Sequence, residues 1–255
     1  MGAGSVPSPE DSGLEIEMEN TSGVTPTPVD TNTSRLVARR MIQVVIQFLI
    51  MGIILFVCAG RLDWGWGWAY LAISLGIVGI NAAVLPPELI AERSRVGEDA
   101  KRWDKVLSGL NLFPVLGALV VAGLDARLGW SPSLAAGVHL GGLAVFALGQ
   151  GLFSWAMASN KFFSTLVRIQ QDRGHRVAAS GPYRYVRHPG YAGFIAYSVA
   201  GPLALGSLWA LIPAAITVVL FVIRTALEDV TLQAELEGYR GYAGQVRYRL
   251  IPGVW

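Results

Sequence analysis

The sequence predicts an all-α fold: a polytopic membrane helical bundle of about five or six spans, with a terminal helical hairpin and a cytoplasmic C-terminal helix. Three observations predict it. First, 53% of the 255 residues are apolar and only 15% are charged, whereas an ordinary soluble domain is about a quarter charged. Second, the apolar residues gather in runs close to the ~20 residues that a helix needs to cross the hydrocarbon core. Third, with the N-terminus inside and six spans, all but Arg61 and Arg127 of the 20 basic residues fall on the cytoplasmic side, as the positive-inside rule requires.

Residues 1–34 form the first segment. They hold Ser, Thr, Pro, Gly and six acidic residues but no Lys or Arg, a composition that buries too little apolar surface to offset the entropy of ordering. A disordered tail is expected. It lacks the basic and apolar regions of a cleavable signal peptide, so the first hydrophobic span is expected to direct insertion.

Residues 35–158 are expected to form a scaffold of four spans. Met41 to Gly60 is almost continuously apolar, with Arg39 and Arg40 before it and Arg61 after it. The second span, about Trp64 to Leu85, opens on Trp64, Trp66, Trp68 and Tyr70, an aromatic belt suited to the membrane interface. Pro86 and Pro87 end it. Residues 88–105 are strongly polar and read as an amphipathic or surface helix. The third and fourth spans cover roughly Val106–Leu124 and Leu134–Ala158.

Residues 159–255 hold the polar chemistry. A wet segment, GHRVAASGPYRYVRHPGYAG from Gly174 to Gly193, stands at the threshold of a hairpin whose arms run from Tyr191 to about Leu205 and from Leu208 to Ile223. The first arm is short for a full crossing, and Pro202 and Pro213 are tolerated where neighbouring helices satisfy the freed backbone groups. Alternate crossings bring the 88–105 loop, the 159–189 loop and the C-terminal segment to one side, where they can form one site.

Several chemistries lose their usual support. The sequence has no GxGxxG after a strand, no P-loop, no HExxH and no GxSxG. Its one cysteine, Cys58, lies in an apolar run and permits neither an intramolecular disulfide nor a multi-cysteine zinc site. Three histidines are too few and too scattered for a metal centre, and His139, inside the fourth span, reads as a packing residue. The basic residues are dispersed among apolar segments, so no contiguous face for nucleic acid exists.

Two constellations remain. His188 precedes Pro189, Gly190 and Tyr191, which places it at the mouth of a helix whose first turn offers N–H donors to an anion. Pro189 suits the first helical position, and glycines at 190 and 193 permit close approach of a ligand or of another backbone. The alternative is a plain interfacial boundary with snorkelling charges. The second constellation is Arg224, Glu228 and Asp229. On a helix Arg224 and Glu228 share a face, either as an ordinary ion pair or turned inward toward a ligand, since ionisable residues at a membrane helix end are expensive when they face lipid. Tyr239, Tyr242 and Tyr248 add aromatic bodies with polar tips. Gln170, Gln171 and Asp172 offer a further polar set for a sugar or amide, or for surface packing.

Taken together, these residues resemble the isoprenylcysteine carboxyl methyltransferase family and its relatives among the integral-membrane phospholipid methyltransferases. The resemblance covers roughly residues 160–252. It rests on Gln170, on His175 to Ala178, on Gly181-Pro182-Tyr183, on Arg187-His188-Pro189 with Tyr191 and Gly193, on Arg224 with Glu228 and Asp229, and on Tyr239, Tyr242 and Pro252. It implies S-adenosylmethionine as cofactor, in a cytoplasmic pocket without a Rossmann fold. The positions implied to line that pocket are Gln170, His175, Arg176, Val177, Ala178, Tyr183, His188, Pro189, Gly190, Tyr191 and Glu228. Arg224 is the position implied to contact the substrate carboxylate, so Arg224, Glu228 and His188 are the implied catalytic set. The family often has Glu where this chain has Asp229, one methylene shorter, which leaves that position's role open.

The leading expectation is an integral-membrane methyltransferase that O-methylates the carboxylate of a prenylated cysteine or a similar lipophilic acid. Its partners are then the lipid bilayer and a lipophilic small molecule or prenylated protein, in the endoplasmic reticulum of a eukaryote or the plasma membrane of a bacterium. N-methylation of a phospholipid, or methylation of another small lipophilic nucleophile, is the near alternative. A sterol-reductase-like protein with a nicotinamide cofactor, or a non-catalytic membrane protein, is the alternative of another class.

Overall fold

A computed structural model describes residues 1–2, 31–94 and 99–255. Among the described residues the regular structure is helical, with no strand. Helix α1 runs Thr31–Ala59, α2 Gly65–Val84, α3 Pro87–Glu92, α4 Arg102–Leu128, α5 Ala136–Ala158, α6 Pro189–Leu205, α7 Leu211–Glu235 and α8 Tyr239–Gln245. Helices α1, α2, α4, α5 and α7 are long and apolar enough to cross a membrane. Their outer faces expose Ile42, Ile53, Leu75, Phe113, Leu148 and Val219, side chains matched to lipid tails, while each helix satisfies its own backbone. The all-α membrane bundle expected from the sequence is the fold observed.

Helix α6 has 17 residues and packs inside the bundle, chiefly against α5. Small residues make that contact possible. A Cβ on Gly193 would lie 2.6 Å from the carbonyl oxygen of Gly149 and 2.8 Å from the amide nitrogen of Phe153, so the two backbones touch where only glycine fits. At the end of the bundle away from the polar loops, Asp125 of α4 accepts hydrogen bonds from the amide and hydroxyl of Ser131 and from the hydroxyl of Ser207. One buried carboxylate thereby ties the α4–α5 connection to the α6–α7 turn. His139 is a packing residue, stacked on Trp66 with centroids 4.4 Å apart and donating from Nδ1 to the carbonyl of Ala204.

Three boundaries differ from the sequence reading. The expected disordered tail lies outside the described residues except at its ends, and Thr31 to Ser34 are already helical. Residues 88–105 are not one surface helix: α3 is a single short turn set whose Leu89, Ile90 and Glu92 are buried, and residues 95–98 lie outside the described residues. Pro87 starts α3, and Ser94 closes it by donating from its hydroxyl to the carbonyl of Ala91. Helix α7 continues past Ile223 to Glu235, because the end of the apolar run marks where its surroundings become polar and not where its backbone bonds stop.

Candidate active site

The chain connectivity brings α3, the start of α4, the 159–188 segment, the end of α7 and α8 to one end of the bundle. The 159–188 segment has little helix of its own, only short 3-10 turns at Gln171–Arg173 and Gly181–Arg184, so it is held by side chains. Glu92 of α3, buried, accepts from Arg168 at 2.8 and 3.2 Å. Asp104 of α4, fully buried, accepts the amide of Val167 at 2.7 Å and pairs with Arg224 through Nε at 2.7 Å and Nη2 at 3.0 Å. Arg224 Nη2 also donates to the carbonyl of Thr165. The Lys101 amide donates to the carbonyl of Val167, and its ammonium pairs with Glu235. Two buried carboxylates thus clamp the segment over the bundle end.

A third buried carboxylate fixes the other side. Asp229 accepts from Arg187 at 2.7 and 3.0 Å, from Arg249 at 2.9 Å, from Gln233 at 2.8 Å and from the Tyr239 hydroxyl at 3.0 Å, and its Oδ1 lies 3.4 Å from His188 Nε2. These partners come from the threshold of α6, from α7, from α8 and from the C-terminal segment. The amides of Arg187 and His188 donate to the carbonyls of Tyr248 and Arg249, so backbone pairing closes the same corner.

Between the two clamps lies a pocket of about 240 Å³, polar by the charged side chains in its mixed lining of arginines, histidines, a glutamate and aromatic rings. Glu228 stands in its wall and accepts a hydrogen bond from the Tyr191 hydroxyl. His188 stacks on Tyr191 at 5.7 Å, and the Arg224 guanidinium lies 5.0 Å above the Tyr191 ring. Tyr183, Tyr239 and Tyr242 bring aromatic faces. Burial raises the three phenols above their ordinary value, so they remain hydrogen-bond donors at neutral pH. Burial, with the charges of Arg168 and Arg173, lowers His175 to about 4. Its ring is neutral at neutral pH, in agreement with the Gln170 amide donating to its Nδ1.

Of the residues expected at the site, His175, Arg176, Val177, Ala178, Tyr183, His188, Gly190, Tyr191, Arg224 and Glu228 line this pocket. Gln170 and Pro189 do not. The Gln170 side chain is fully buried, donates to the carbonyl of Phe162 and accepts from Arg173, so it staples the loop. Pro189 is buried at the first position of α6. The helix mouth is also less open than expected, since the amides of Tyr191 and Ala192 donate to the carbonyl of His188. Glycine at 190 serves packing: a Cβ there would lie 2.9 Å from Phe163.

Arg224 and Glu228 share the pocket, but the ion-pair partner of Arg224 is Asp104 and not Glu228. The importance of Asp104, Glu92 and Arg93 is not apparent from the sequence. Their one signal is the presence of acids and arginines flanking a membrane span.

A second cavity, about 540 Å³ in volume, extends into the bundle among α1, α2, α4, α5, α6 and α7. Arg93, Phe153, Thr165 and Phe194 line both cavities, which therefore adjoin at these residues.

Among the described residues, an all-helical bundle with five membrane-length helices defines an integral-membrane protein, here with a pocket rich in charged side chains at one end and a largely apolar cavity beside it. Residues 142–234, from α5 to the end of α7, match the model of the isoprenylcysteine carboxyl methyltransferase (ICMT) family. The chain is 36% identical over 66 residues to a protein-S-isoprenylcysteine O-methyltransferase of Schizosaccharomyces pombe, covering 26% of this chain and 28% of that one. It is 32% identical over 65 residues to protein-S-isoprenylcysteine O-methyltransferase B of Arabidopsis thaliana, covering 25% and 33%. A probable protein-S-isoprenylcysteine O-methyltransferase of Oryza sativa subsp. indica is 31% identical over 65 residues, covering 25% and 34%. The matched stretch spans about a third or less of the length of these curated relatives.

Proposed function

We propose that this protein is an integral-membrane methyltransferase that uses S-adenosylmethionine to O-methylate the carboxylate of a prenylated cysteine or a similar lipophilic acid at the cytoplasmic face. The observation that carries the reading is the adjacency of a pocket rich in charged side chains and a membrane-embedded, largely apolar cavity, with Phe153, Thr165 and Phe194 of their shared wall inside the segment that matches the family and Arg93 outside it. A water-soluble donor and a lipid-soluble acceptor need separate approaches to one point, and two adjoining cavities suit that need.

The residues of the pocket fit such a donor. Glu228 suits a cationic or hydroxyl group, the tyrosines suit a purine ring, and Arg176 lines the pocket without an ion pair among the described residues, free for the ligand's carboxylate. When bound, S-adenosylmethionine supplies an electrophilic methyl group whose S–CH3 bonding pair stays on sulfur as the acceptor oxygen forms the new O–CH3 bond. A carboxylate acceptor has no proton to lose, so the protein's contribution is orientation and exclusion of water. Glu228, fixed by Tyr191, and Arg224, fixed by Asp104, are the rigid parts of that orientation. The surroundings of His188, an Asp229 oxygen and the Tyr239 hydroxyl, suit a positioning role.

The test is chemical. Purified protein incubated with methyl-labelled S-adenosylmethionine and S-farnesylcysteine is expected to give label that alkali releases as methanol, the mark of an ester. Alkali-stable label on phosphatidylethanolamine would instead assign N-methylation, and no transfer to either acceptor would overturn the reading.

A further inference from the structure

The cavity inside the bundle is apolar over most of its wall, yet among the described residues it carries two arginines, Arg40 and Arg93, and no acidic residue. Arg93 is the unusual one. It follows α3 directly, its Nη1 is buried without a hydrogen-bond partner, and its guanidinium lies 5.3 Å from the centre of the Phe163 ring and 5.7 Å from that of Phe153. The nearby carboxylates are committed elsewhere: Glu92 to Arg168 and Arg173, and Asp104 to Arg224. Among the described residues Arg93 has no ion pair. Burial, with the positive charges of Arg40 and Arg224, lowers it to about 10, which still leaves it charged at neutral pH. A buried cation facing two rings, with no anion paired to it among the described residues, is costly unless a ligand supplies the missing charge.

The same wall holds two more unmet groups. Gln150 Nε2 and Ser154 Oγ, one turn apart on α5, are buried without partners and line the same cavity. A bare hydrocarbon chain would leave all three unsatisfied. An amphiphile with an anionic, hydrogen-bonding head near Arg93 and a tail running into the cavity would satisfy them.

We propose that Arg93 binds the carboxylate of the acceptor where the two cavities meet, with the acceptor's tail in the bundle cavity and Gln150 and Ser154 hydrogen-bonding its polar backbone. This rests on the methyltransferase reading and identifies the anchor within it. Arg224, whose Nε and Nη2 are held by Asp104, lines the polar pocket. Arg93 lines both cavities, so an anion held there faces the polar pocket while its tail remains in the membrane.

The experiment compares binding of S-farnesylcysteine, its neutral carboxamide and dodecyl phosphate to detergent-solubilised full-length protein, by calorimetry in the presence of S-adenosylhomocysteine. The wild type is expected to prefer the acid over the amide by about tenfold or more, the scale of a charge-assisted hydrogen bond. Arg93→Met, which keeps an apolar stem between the two phenylalanines, is expected to lose that preference, and Arg93→Lys to retain part of it. S-adenosylhomocysteine affinity in each variant reports whether the polar pocket is intact. An acid preference that survives in Arg93→Met overturns the proposal. So does Arg93-dependent binding of dodecyl phosphate by a wild type that ignores S-farnesylcysteine, which would assign the site to a phospholipid. Failure of the wild type to bind S-adenosylhomocysteine at all would instead sink the methyltransferase reading.

Discussion

Glu228 and Asp229 are adjacent carboxylates with different surroundings. Asp229 is fully buried and gathers two arginines, a glutamine and a tyrosine from four parts of the chain, whereas Glu228 is half-buried and faces the pocket with Tyr191 as its partner. Removing one partner of a buried ion pair strands the other charge, at about 3–5 kcal/mol. Asp229→Ala is therefore expected to lose that order of stability, read as a large drop in thermal midpoint in detergent, with any loss of ligand binding following from unfolding. The two acids and Arg224 were legible in the sequence as a constellation, and helical spacing paired Arg224 with Glu228. The actual partner, Asp104, is 120 positions away, and nothing local announces a contact that only the crossing of α4 and α7 creates. Arg93 was hidden for the same reason, since its significance lies in what it lacks.

At the scale of elements, the α5–α6 contact sets the position of the site, because α6 begins at Pro189 directly beyond His188. Gly193 and Gly149 let the two backbones touch. A larger side chain at 193 must push the helices apart, and overpacking of this kind costs about 1–3 kcal/mol or more. Gly193→Leu is expected to lower the thermal midpoint and reduce ligand binding together, while Gly141→Ala, where a Cβ meets nothing within 4 Å, is expected to leave both unchanged. Apolar runs made the spans legible, including the hairpin of α6 and α7. They did not reveal that α7 carries its helix to Glu235, which holds Arg224, Glu228 and Asp229 on one rigid rod. Nor did polarity reveal that residues 88–105 break into α3 and the start of α4: the buried turn of Leu89 and Ile90 packs with Leu85 and Met157, a tertiary cluster that periodicity cannot show.

Over the whole molecule, charge and cavities share one direction. Among the described residues, every basic residue except Arg61 and Arg127 lies toward the end that bears the polar pocket, as a cytoplasmic site would require. From that end the larger cavity runs into the bundle and meets the pocket at Arg93 and Phe153. Composition and loop charge made this polarity readable in the sequence, but not the cavities, whose walls are assembled from helices far apart in the chain. The central claim is that the pocket walled by Glu228, Tyr191 and Arg176 binds S-adenosylmethionine. Calorimetric titration of the full-length protein in detergent with S-adenosylhomocysteine tests it most directly. One saturable site is expected in the wild type, weakened about tenfold or more in Glu228→Gln, since a lost hydrogen bond to a charged group is worth about 1.5–3 kcal/mol, with the thermal midpoint little changed. No binding by the wild type, or equal affinity in the two proteins, would contradict it.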